Sequence, residues 1–82
     1  MTDVIKLHIV SPERTLVEQA VSSVTLPGTI GPFMVLKDHA PIISALSAGD
    51  IRVVDGEERR FAIRGGVVKV KDNEIVACVE ER

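Results

Sequence analysis

Apolar side chains recur at every second position along most of this chain, the period of a strand with one face buried and the other in water. The first run is Val4–Val10, where Ile5, Leu7 and Ile9 alternate with Lys6 and His8. Ser11-Pro12-Glu13 turns the chain into a second strand, Arg14–Val21, and a third follows in Val21–Leu26. Between Leu26 and Leu46 the pattern is broken up, because three of the four prolines and two of the six glycines fall there. Pro27-Gly28 and Gly31-Pro32 are too closely spaced for a helix; they predict turns around short strands at Phe33–Leu36 and Ile42–Leu46.

Beyond the turn at Ala48-Gly49-Asp50, Ile51 and Val53 flank Arg52. Asp55-Gly56 is a hairpin signal, since this pair admits the positive φ of tight primed turns. Arg59, Phe61 and Ile63 then face one way, and Arg60, Ala62 and Arg64 the other. Gly65-Gly66 bends the chain, Val68 and Val70 alternate with Lys69 and Lys71, and Asp72-Asn73 turns into Glu74–Val79. The sum is about nine short strands with no helical period, which predicts an all-β sandwich or small barrel. The unbroken apolar runs at 33–36 and 75–79 predict strands covered on both faces.

Composition narrows this picture. A chain of 82 residues has room for one core. With 45% hydrophobic and only 2% aromatic residues, that core is built from Val, Ile and Leu, which suits a pleated sheet. A formal charge of −2 argues against nucleic acid as a partner. No apolar run reaches the roughly 20 residues of a membrane helix, so direct membrane insertion is not expected. No signal-peptide pattern opens the chain, and the single Cys78 excludes an internal disulfide.

Chemistry is sparse. Asp38-His39 could make a carboxylate-oriented imidazole, but no serine or cysteine nucleophile motif accompanies it, and a turn histidine bonded to backbone is the favoured reading. His8 lies on the polar face of its strand, and two histidines without paired cysteines make no metal site. Gly65-Gly66 lacks the spacing and following helix of a phosphate loop. Cys78 reads as an inert core thiol. Six of the ten basic residues fall between Arg52 and Lys71, against three acidic ones, a mildly basic stretch that is read first as a solvated strand face. No catalytic, cofactor or metal residues are expected. The residues alone point to an interaction module, either a structural subunit or a free-standing β-sandwich adaptor that takes a peptide on a sheet edge.

Three segments carry a resemblance: LHIVSPERTL at 7–16, VSSVTLPGTIGPFMVLKDHAPIISALSAGDIRV at 21–53 and RFAIRGGVVKVKDNEIVACVE at 60–80. Their order and spacing resemble the N-terminal β-sandwich domain of the epsilon subunit of the F-type rotary ATP synthase, the subunit called delta in mitochondria. The resemblance implies a ten-stranded sandwich of short, mostly antiparallel strands over residues 1–82. It implies a non-catalytic part of the central rotor on the cytoplasmic face of the bacterial inner membrane, coupling the ring of c subunits to the gamma subunit.

Carried over by residue, Gly28, Thr29, Ile30, Gly31, Pro32 and Phe33 would face the c ring. Leu16, Val17, Val35, Leu36, His39, Ala40, Pro41, Ile42 and Ile43 would lie on or near the gamma-facing side. The chain departs from the family at Pro32 and Met34, where an acidic residue and a glycine are usual, and at Lys37-Asp38, where Pro-Gly is usual. Most members continue into a two-helix hairpin that inhibits hydrolysis and in some cases binds ATP. The sequence stops at Arg82, so the resemblance implies neither hairpin nor nucleotide site here.

Overall fold

Burial follows the alternation of the sequence. In a computed structural model that describes residues 4–82, the buried positions of β1 (Ile5–Val10) are Ile5, Leu7 and Ile9, with Lys6 exposed and His8 half-buried between them. The same rhythm runs through β2 (Thr15–Val21), β3 (Ser23–Pro27), β4 (Pro32–Val35), β5 (Ile42–Leu46), β6 (Gly49–Val54), β7 (Glu58–Lys71) and β8 (Glu74–Glu81). Every strand contributes to one core of Ile, Leu, Val and Ala side chains, and among the described residues no polar group is buried in it. Leu16, Phe33, Ile42 and Phe61 pack on its margin.

The fold is the all-β class expected, with eight strands rather than nine or ten. Gly65-Gly66 does not divide two strands; it lies within β7, which runs 14 residues past a bulge between Ile63 and Gly65. The first half of β7 pairs with β6, and its second half pairs with β5 along the same edge. β8 holds the other edge from Ile63 to Lys71. β7 thus passes from one layer to the other, as strands do at bulges and bends of sandwiches. One layer is β6-β3-β4 with the start of β7; the other is β5, the end of β7, β8, β1 and β2. Pairing is antiparallel except between β1 and β8.

Two further expectations change. Val35 is fully buried while Met34 and Leu36 are exposed, and Ala77 and Val79 are buried while Cys78 is exposed. The runs at 33–36 and 75–79 are therefore covered on one face only. Cys78 is a surface residue, not a core thiol, because it sits out of phase with Ile75, Ala77 and Val79 on a strand of period two.

Candidate partner-binding surface

The Leu36–His39 segment is a tight turn, closed by the His39 amide donating to the Leu36 carbonyl at 3.2 Å. Asp38 takes a φ of 64°, the left-handed third position that such turns usually give to glycine or asparagine. Its carboxylate is engaged by Asn73, whose side-chain nitrogen donates to it at 3.1 Å. The His39 ring donates through Nδ1 to the Ala40 carbonyl at 2.7 Å. Each partner of the possible Asp38–His39 dyad is thus committed elsewhere, and the turn histidine bonds backbone as the sequence suggested. His8 is half-buried on its strand and lies 3.2 Å from the Glu74 carboxylate.

The residues expected to face gamma divide by depth. Ala40, Pro41, Leu36 and Ile43 are exposed, Ile43 at 73%. Leu16, His39 and Ile42 are half-buried. Val17 and Val35 correct the expectation: they are 5% and 0% exposed and point into the core, since their neighbours in phase are core residues. They support a surface without belonging to it.

The expected ring-facing loop is the β3–β4 connection. Gly28 is buried, and a side chain there would meet the Gly31 carbonyl at 2.7 Å and the Phe33 ring at 3.0 Å. Phe33 is half-buried, while Thr29, Ile30, Gly31 and Pro32 form an exposed tip. The tip is braced from behind: the Ser47 amide donates to Pro27 at 2.8 Å and the Thr29 amide to Ala45 at 3.2 Å. Ile30 stands fully in water on this braced turn, and no charged residue occurs between Glu18 and Lys37.

The register also assembles a feature that reading the strands singly misses. Val10 pairs with Cys78, Cys78 with Val67, and Val67 with Ala45, so four strands place apolar side chains in one outward row. The next row holds His8, Val76, Lys69 and Ile43. Val67 is 51% exposed, and the row opens at Val10 and Cys78 onto a shallow, mostly apolar depression that also touches Ser11, Pro12 and Gly66. Exposed apolar side chains joined into a patch mark a protein contact far better than single ones do. The available signal was the second apolar phase of β8, Val76 and Cys78, which a one-faced strand does not need. The basic stretch, in contrast, does not gather: Arg52 pairs opposite Arg60 near Glu58, while Lys69 and Lys71 lie past the bulge.

One ion pair closes the end of the domain. Arg14 Nη2 donates to Glu81 Oε1 at 2.7 Å and Nε to Oε2 at 3.3 Å. The Arg14 hydrogen bonds hold the Glu81 carboxyl below the usual carboxylate range, helped by Arg14's charge and the Ser11 hydroxyl and opposed by partial burial. A group whose pKa falls on folding adds stability above its unfolded value, near 4.3 for glutamate, and loses that contribution as pH drops through the folded value. Glu81→Gln should therefore lower the urea midpoint at pH 7 slightly, by an amount that shrinks in high salt and is smaller at pH 3. An equal deficit at both pH values would show that the pair contributes through packing rather than charge.

Residues 4–81 match the family model of the β-sandwich domain of the ATP synthase delta/epsilon chain. The chain belongs to this family. It is 40% identical over 77 residues to the ATP synthase epsilon chain of Carboxydothermus hydrogenoformans, covering 93% of this chain and 58% of that one. It is 37% identical to the epsilon chain of Chlorobium limicola, covering 93% of this chain and 89% of the relative. The chain thus spans under two thirds of the first relative and most of the second. A subunit within the cryo-EM structure of the Euglena gracilis mitochondrial ATP synthase OSCP/F1/c-ring superposes with a TM-score of 0.91 at 22% identity, over 99% of this chain and 53% of that one. At that identity the likeness speaks for the fold of this delta/epsilon domain.

Proposed function

We propose that this chain is a rotor subunit of the F-type ATP synthase, a non-catalytic piece of the central stalk that couples the c-subunit ring to gamma during ATP synthesis. The observation that carries the reading is the family match over residues 4–81, nearly the whole chain. The surface fits it. The apolar row through Val10, Cys78, Val67 and Ala45, with Ile43 beside it, supplies a face for gamma. The uncharged tip from Thr29 to Pro32 would rest on the ring, making contact by shape and apolar area rather than by an ion pair. In that place the subunit is peripheral to the membrane part of the synthase; in a bacterium it lies on the cytoplasmic face of the inner membrane.

The test is assembly. Mixed with gamma and the c ring of the same enzyme, the chain should elute with them as one complex. Val67→Asp should fold normally, because Val67 is half in water, yet bind gamma about thirtyfold more weakly, the scale of a central interface residue. A wild-type chain that stays apart from gamma and the ring would refute the reading.

A further inference from the structure

Three segments meet at Asn73. Its backbone carbonyl accepts the Lys6 amide at 2.9 Å, tying the hairpin to the start of β1. Its side-chain oxygen accepts the Asp38 amide at 2.5 Å, and its side-chain nitrogen donates to the Asp38 carboxylate at 3.1 Å. The β7–β8 hairpin does not need this clasp. Asp72 and Asn73 have φ of 51° and 61°, and two left-handed residues close a primed two-residue turn by themselves. The bond to Lys6 uses backbone alone. What the Asn73 side chain adds is one acceptor and one donor on a single amide, matched to one amide and one carboxylate across 35 positions of sequence.

The recipient is the turn that leads into the exposed residues Ala40, Pro41 and Ile43. Residues 36–41 lie outside any strand, so no ladder holds them. We infer that Asn73 is a positioning residue for partner binding: it sets the 36–41 turn in its docking geometry before the partner arrives. The inference rests on the rotor reading, which supplies gamma as the partner. A turn held in advance loses less freedom on docking, and apparent affinity scales with the fraction of molecules already in the competent form.

Asn73→Gly tests this, because glycine keeps the positive φ and the backbone bond to Lys6 while removing only the clasp. The variant should still unfold in one cooperative step. By NMR its Asp38 amide should exchange with solvent faster than in the wild type. Its affinity for purified gamma should fall about tenfold, mainly through slower association, as expected if the competent fraction drops to about one in ten. Asp38→Gly keeps the backbone amide bond to Asn73 and loses only the carboxylate, so its loss should be smaller, and the double variant should be no weaker than Asn73→Gly alone. If Asn73→Gly frees the Asp38 amide yet binds gamma within about twofold of wild type, or if the two losses simply add, the inference is overturned. A wild-type chain that does not bind gamma at all would instead remove the rotor reading beneath it.

Discussion

Gly66→Ala should cost a large share of the domain's stability, although it adds a single methyl group. That methyl carbon would lie 2.3 Å from the Cys78 carbonyl oxygen and 2.9 Å from the Val79 Cα, both backbone atoms of the neighbouring strand. Gly66 pairs directly with Val79, just past the bulge where β7 crosses between the two layers. At Gly66, β7 is paired with Leu46 on one edge and Val79 on the other, so it cannot move aside without breaking hydrogen bonds. Overpacking of this kind costs about 3 kcal/mol or more when the obstacle cannot relax. A domain of this length holds only roughly 4–12 kcal/mol in total. Gly31→Ala is the control, since nothing lies within 4 Å of a side chain there. Urea unfolding followed by far-ultraviolet circular dichroism should show Gly31→Ala near wild type and Gly66→Ala with a far lower midpoint. A Gly66→Ala midpoint close to that of Gly31→Ala would mean that the β7–β8 contact is looser than the distances imply.

The same residue shows why the strands were more legible than their connections. Alternation identifies which residues of a strand share a face, and the core positions of β1, of β6 and of the second half of β7 follow from it directly. A Gly-Gly pair, however, signals equally well a break between strands or a bent strand with a close neighbour. Only pairing on both edges decides, and pairing is a long-range property. Runs such as Phe33–Leu36 and Ile75–Val79 mislead for a related reason. An apolar residue on the outward phase looks like a second buried face until the sheet beyond it proves absent, and then it becomes exposed apolar surface. The row through Val10, Cys78, Val67 and Ala45 is assembled from residues up to 68 positions apart, so no local pattern contains it. Two positively charged segments that look contiguous on paper separate for the same reason, because β7 changes layers between Arg60 and Lys69.

Exchanging aspartate for isoleucine at two adjacent positions should produce opposite failures. Ile42 and Ile43 lie side by side at the start of β5, so their side chains point to opposite faces. Ile42 packs on the core beside its register partner Val70, whereas Ile43 is 73% exposed opposite Lys69. Ile42→Asp removes packed apolar area and sets a carboxylate against the core, which should cost about 2–4 kcal/mol and leave the domain marginal. Ile43→Asp places its carboxylate in water across from a lysine, so its stability should stay within about 0.5 kcal/mol of wild type. Its damage should appear in binding. A carboxylate buried against an apolar partner keeps its desolvation penalty uncompensated, and affinity for gamma should fall about thirtyfold or more. Raising the salt concentration should not restore it, because the penalty is desolvation rather than long-range repulsion. The measurement pairs thermal unfolding with calorimetric titration of gamma into each variant. A folded Ile43→Asp chain that binds gamma like the wild type would place the contact on another face. A fully stable Ile42→Asp chain would mean that the start of β5 is not held against the core as its burial indicates.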